Sequence, residues 1–490
     1  MKRFPLYIYI IGVLLAMVSS CDDYDSWTAD HRAYFSFSQD TVCFDTLITS
    51  VSSSTQRLMI YNHNNNGLRI GEVFLKHADR SHFRVNVDGH YLENGRGMDF
   101  EVVANDSMFV FVEVTLPETN VDDITKYTDS LCFRLESGNL QYVTLLANGQ
   151  NAIHWHGIKV IDEDLTVESK RPIVIYDSIF VANGITLTLS PGTQFMFHQH
   201  ASMCVNGTLH VNGTLEQPVV FRGDRTGNLF DYLPYDNTPQ QWGGIYLNGH
   251  NHKLSHLDLH SSTFGIVAED TDIEIENSVI HNTGGNALLS RNSVITANNT
   301  QISNAYGNLF QMVGGSVEMA FCTFAQFYNY DATRGFALSL SDYIVEYGDT
   351  LYYELKKADF NNCLITGYGE DVIYGSFLKE SKYQDSVPYN FTCCYLKTAF
   401  SETDSVRFVN NVFEDLSDTT SYERRFLQFD TYSRLYDFTP DVSAPFCDRG
   451  DMNMAEKYPY DRMGRSRIAD GRPDIGAYEN VSRLNTDIKP

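Results

Sequence analysis

The sequence predicts an all-β chain in which an antiparallel sandwich precedes a parallel β-solenoid. Short alternating runs between turn residues mark the first third, and an apolar pattern recurring near every 22 residues marks the rest. The composition supports both: of 490 residues, 43 % are hydrophobic and 13 % aromatic, enough for a large core and incompatible with a disordered or collagen-like chain. The formal charge of −26 repels phosphate backbones, so nucleic acid is not an expected partner.

Residues 1–20 form a secretory leader, with Lys2 and Arg3 ahead of an apolar stretch from Leu6 to Val18 that is too short to be a spanning helix with its own flanks. Val18-Ser19-Ser20-Cys21 resembles the lipobox of bacterial lipoproteins, which implies acylation of Cys21 and a chain that sits on a membrane without crossing it. Residues 21–33 are an acidic tether. Its start, Asp22-Asp23-Tyr24-Asp25, resembles the surface-export signal of Bacteroidetes lipoproteins and implies an outer-membrane protein exposed on the cell surface.

Residues 34–151 carry the alternating runs, among them Tyr34-Phe35-Ser36-Phe37, Arg57 to Tyr61, Phe83 to Val87, Met108 to Val114 and Tyr142 to Leu146. Turns are marked by Asn62 to Gly67 and by Asp88-Gly89. About seven short strands in about 115 residues read as a sandwich of immunoglobulin type. No tryptophan lies between Cys43 and Cys132, so an antibody-type core is not expected.

Residues 152–480 read as the solenoid with a C-terminal closing segment, and 481–490 as a tail. Seven segments align at Leu254, Ile275, Ala297, Met319, Phe360, Phe391 and Phe408, spaced by 21, 22, 22, 41, 31 and 17 residues. One coil per repeat, stacked on its neighbour and tolerant of insertions, fits that series. A second strand is expected twelve residues after the anchor, at Ile266, Ala287, Leu309 and Val372. His256, Asn277, Asn299, Phe321, Asn362, Cys393 and Asn410 form a bend column suited to left-handed backbone. Next to it, Leu257, Ser278, Thr300, Cys322, Cys363, Cys394 and Asn411 are expected to point inward, the three cysteines as free thiols.

The run through Ser190-Pro191-Gly192-Thr193, Val205-Asn206-Gly207, Phe221-Arg222-Gly223-Asp224 and Trp242-Gly243-Gly244-Ile245 resembles the right-handed parallel β-helix lipoproteins of gut Bacteroidetes, in the pectin-lyase-like superfamily. The tail motif Pro473-Asp474-Ile475-Gly476-Ala477-Tyr478-Glu479 is similar to the closing motif of bacterial surface β-helix proteins. The resemblance implies an Ig-like β-sandwich followed by a right-handed parallel β-helix. It implies no particular activity, since that superfold hosts lyases, hydrolases and adhesins.

Candidate chemistry is sparse. Lyases of the superfamily place Arg or Lys beside carboxylates, because neutralising a uronate eases removal of its α-proton; here Lys253 and Arg291 are the only basic residues between Arg225 and Arg334. Asp231, Asp236, Glu269 and Asp270 are carboxylates near loops and read as solvated acids. His250, His252, His256 and His260 point in different directions, although His281 stands one coil beyond His260 in the same column. No catalytic residue, metal or cofactor is assigned.

Aromatic rings on loops carry the binding expectation, being stiff, amphipathic platforms for sugar faces. The insertion 227–242 contributes Phe230, Tyr232, Tyr235 and Trp242. A longer one, 327–355, holds Tyr328, Tyr330, Phe336, Tyr343, Tyr347, Tyr352 and Tyr353, with a hairpin turn at Gly348-Asp349. Asp followed by Ser or Thr and then by an aliphatic residue, Met or Thr resembles the O-glycosylation sequon of exported Bacteroidetes proteins, with Thr41, Thr46, Ser107, Ser130, Ser178, Thr350, Ser386, Ser405 and Thr419 as acceptors; the Asp-Ser/Thr pair also favours turns. The expected function is a binding or adhesion module for glycans or other surface proteins. The alternative is a polysaccharide lyase or glycoside hydrolase acting on the β-helix flank.

Overall fold

The computed structural model describes residues 26–230, 232–346, 348–378, 388–398, 406–416 and 422–480. Cys21, Tyr347, Asp231, Ser386, Ser405 and Thr419 lie outside them. The chain divides into two units, one ending at Gln150 and one starting at Asn151. Among the described residues no helix is long and apolar enough to cross a membrane.

Among the described residues the first unit is a sandwich of two five-stranded sheets. Alternation does the folding: in Ser107–Val114 every second residue is buried, and the inward sets of both sheets meet in one core that includes Val42, Phe44, Leu58, Val110 and Phe133. The pairing is antiparallel except where Leu140–Gln150 lies parallel to Thr41–Ile48.

The second unit is a parallel β-helix whose strands collect into sheets of eleven, nine and ten strands among the described residues. Register confirms the repeat read from the sequence. In the ten-stranded sheet Leu254 pairs with Ile275, Ile275 with Ala297, Ala297 with Met319, Met319 with Phe360, Phe360 with Phe391 and Phe391 with Phe408. Each rung is one strand spacing from the next, so like residues stack face to face. The rings of Phe360 and Phe391 lie 5.1 Å apart and those of Phe391 and Phe408 5.2 Å apart, stacked and nearly parallel.

The second strand differs from expectation by one residue. Ile266 pairs with Leu288, which pairs with Phe310, so Ala287 and Leu309 precede the paired positions. The coil that starts at Leu254 is one residue shorter than the next two, and the deficit falls before this strand.

All seven bend-column residues are left-handed, with φ from 48° at Asn299 to 54° at Asn410. Asn299 Nδ2 donates to Asn277 Oδ1 one coil away at 3.1 Å. Cys322, Cys363 and Cys394 are buried free thiols, and Cys363 Sγ donates to the Asn361 carbonyl at 3.4 Å.

The closing segment runs along the flank of the eleven-stranded sheet. There the outward residues Leu364 and Tyr395 are apolar and need cover, which Phe426, Phe429, Phe438, Phe446, Ile475 and Ala477 supply.

Candidate functional site

The insertion 227–242 folds as a two-stranded ribbon, Asn228–Phe230 against Leu233–Pro234, followed by a 3₁₀ turn at Tyr235–Asn237. Two of its four aromatics face outward: Phe230 is 55 % exposed and Tyr232 half-buried, with rings 5.8 Å apart and nearly parallel. Tyr432, 68 % exposed, comes from the turn between Phe426–Asp430 and Leu435–Pro440 and packs on Tyr232 at 4.5 Å. Two loops far apart in sequence thus build one ring surface.

Trp242 and Tyr235 must be removed from the exposed set. Trp242 is 1 % exposed, stacks on Phe197 at 4.3 Å and donates from Nε1 to the His260 carbonyl at 2.9 Å. The cause is the chain's re-entry into the nine-stranded sheet: a Cβ on Gly243 would meet Ser202 Oγ at 1.9 Å, so the residue before it turns inward. Tyr235 is 9 % exposed and opens the 3₁₀ turn, its carbonyl taking hydrogen bonds from Gln241 Nε2 and Ser261 Oγ.

In the longer insertion Phe336 and Tyr352 are exposed, whereas Tyr328, Tyr330 and Tyr343 are tied in. Tyr328 is buried, Tyr330 donates to the Asn237 carbonyl at 2.8 Å, and Tyr343 shares a hydrogen bond with Ser376. Tyr343–Glu346 and Asp349–Tyr352 form the expected hairpin, with Gly348 at φ 92° in its turn. Tyr330 also lies under the Arg434 guanidinium, 4.0 Å from it, and Asn237 Nδ2 donates to the Arg434 carbonyl at 3.1 Å. These bonds tie the two aromatic loops together.

Beneath the first loop, the outer face of the eleven-stranded sheet carries a charged cluster. His260 and His281 are in register, their rings 4.9 Å apart. Asp258 precedes His260 by two residues and so shares its face. Asp258 Oδ1 lies 3.0 Å from His260 Nδ1 and 3.4 Å from His281 Nε2. On the far side of the ring, His260 Nε2 lies 3.4 Å from Asp236 Oδ1, and Arg222 grips both oxygens of Asp236 at 2.5 and 3.1 Å.

Charge sets the protonation here. Burial works against the imidazolium of His260, but Asp258 and Asp236 raise it to about 9. Burial also opposes ionisation of Asp258, yet His260 and His281 hold that carboxyl well below its ordinary value. Asp236 is lowered in the same way, by His260 and Arg222 against its burial. Burial lowers His281. Both carboxyls are therefore held in the ionised form.

The remaining histidines lie apart. His252 faces the interior, His256 sits at the bend, and His250 pairs with Asp272 at 2.8 Å. The sequence reading did not single out Asp258, although its place two residues before His260 on the same strand face was a usable signal; Tyr432 carried no signal, being about 200 residues from Tyr232.

The sequon aspartates have a structural role. Asp45, Asp106 and Asp129 each accept from the backbone N–H of the next residue, Thr46, Ser107 and Ser130, at 2.7 Å. Thr41 and Thr350 are exposed; Thr46, Ser107, Ser130 and Ser178 are half-buried.

No family model and no curated protein matches the chain. Among solved structures it is similar to the VesB protease of Vibrio cholerae (16 % identity over 24 % of this chain and 31 % of that one, TM-score 0.17). It is also similar to a family 123 glycoside hydrolase from Clostridium perfringens (6 %, 25 % and 26 %, TM-score 0.17). A third is the catalytic domain of a GH87 α-1,3-glucanase in complex with nigerose (9 %, 71 % and 82 %, TM-score 0.20). The chain spans less than a third of the first two, and likenesses at these TM-scores carry no argument about function.

Proposed function

We propose that this chain is a glycan-binding module, lipid-anchored through Cys21 at the outer membrane and exposed on the cell surface, with O-glycans on some of its Asp-Ser/Thr sites. One observation carries the glycan reading: the contiguous rings of Phe230, Tyr232 and Tyr432 stand on two interlocked loops of a rigid solenoid. Rings held in advance lose little conformational freedom on binding, which suits the flat apolar faces of pyranoses. Affinity electrophoresis across neutral and uronate polysaccharides tests it, with products followed in parallel. Retardation without product is the expected result. Release of reducing ends or unsaturated uronates would establish the lyase or hydrolase alternative, and absence of retardation on every glycan would defeat the reading.

A further inference from the structure

The cluster under the loop has features that an ion-pair network alone does not need. Asp258, His260 and His281 each offer a donor atom, and the three lie within 4.8 Å of one another. Donors on a tetrahedral zinc ion, each about 2.0–2.2 Å from it, stand somewhat closer together than that, so modest side-chain rotations would close the set. Two imidazoles converge on one carboxylate oxygen, Asp258 Oδ1. Parallel pairing fixes the rings, because His260 and His281 occupy the same register position on successive rungs.

The surroundings match those of a metal-ligating histidine. Such a ring usually donates its second N–H to a carboxylate that is itself held in place. His260 is 7 % exposed in its side chain. Its Nε2 is buried without a hydrogen-bond partner, and Asp236, clamped by Arg222, is the acid facing it at 3.4 Å. Asp258 and His281 keep side-chain exposures of 33 % and 22 %, which leaves an ion a way in and room for water as a further ligand.

The geometry points to a divalent transition-metal site in which Asp258, His260 Nδ1 and His281 Nε2 bind the ion and Asp236 orients His260 from behind. Imidazole with one carboxylate suits zinc and its first-row neighbours and is a poor set for calcium, which takes six to eight oxygens.

The test is titration of the chelator-stripped full chain with Zn²⁺ by calorimetry and with Co²⁺ by visible absorption. One ion per chain is expected, with a ligand-field spectrum for Co²⁺ and a higher Tm when it is bound. Asp258→Asn and His281→Ala are expected to abolish the spectrum, and Asp236→Asn to weaken binding about 10–100-fold. His250→Asn, altering an exposed histidine outside the cluster, should leave the titration unchanged. Absence of stoichiometric binding by the unaltered chain would overturn the site. So would binding that persists undiminished in Asp258→Asn, a variant that preserves side-chain shape. Glycan retardation measured with and without chelator reads the aromatic surface separately.

Discussion

His252 occupies an interior column whose next members are Ile273, Ile295 and Val317, and it is fully buried. Its Nδ1 accepts from the Leu209 N–H at 3.0 Å, a role only the neutral ring can fill. Burial lowers its pKa to about 4. The unfolded ring titrates near 6.5, so between these values the unfolded state binds the extra proton. Stability from this residue is complete above about pH 6.5 and drains away as pH falls towards 4, amounting to about 3 kcal/mol over that window. Equilibrium denaturation at stepped pH should show the loss. His252→Leu should flatten it while lowering stability at neutral pH by about 1–3 kcal/mol, because Leu209 loses its acceptor; an unchanged acid profile would contradict this. The bend column shows what a single residue reveals in sequence. Asn at Asn277, Asn299, Asn362 and Asn410 tolerates positive φ and identified the position, so Phe321 and Cys393 could be assigned the same backbone although neither favours it.

The closing segment is only partly legible in the sequence. Its motif was legible, but its docking place was not, because that depends on side chains from rungs far upstream. Arg467 is fully buried: it donates to Glu479 Oε1 at 2.7 Å and Asn299 Oδ1 at 2.8 Å, and its guanidinium lies 3.8 Å from the Phe321 ring centre. The Ala477 N–H reaches Thr323 Oγ1 at 2.9 Å and Gly476, at φ 110°, donates to the Asn362 carbonyl at 2.9 Å. The segment thus reads the bend column from outside. Burial pushes the Glu479 carboxyl up to about 9, so the loss of Arg467 leaves buried acceptors without their donor rather than a bare charge, at about 1–3 kcal/mol. Arg467→Met should therefore free the amides of Ala477 and Glu479 to hydrogen exchange while the sandwich keeps its protection. Lys should not rescue it, since a point charge cannot bridge two acceptors and stack on a ring. Unchanged exchange at Ala477 and Glu479 would show that the segment is held by its apolar contacts alone.

Over the whole molecule, the inward register was legible because backbone pairing forces each rung to repeat the last, so spacing alone placed Ile275, Met319 and Phe360 in one column. The aromatic surface was only half legible. Phe230 and Tyr232 belong to an insertion that interrupts the rhythm and so declares itself, whereas Tyr432 joins them through contacts that no local pattern encodes, and Trp242 looked like loop although it begins the next coil. In the proposed function, two distant loops act as one sugar-binding face. A double-mutant cycle on glycan affinity with Phe230→Ala and Tyr432→Ala addresses it most directly. Each single change should weaken binding about 5–30-fold, or about 1–2 kcal/mol, and the double variant should lose less than their sum, because both rings rest on Tyr232. Affinity unchanged in either single variant would contradict the claim.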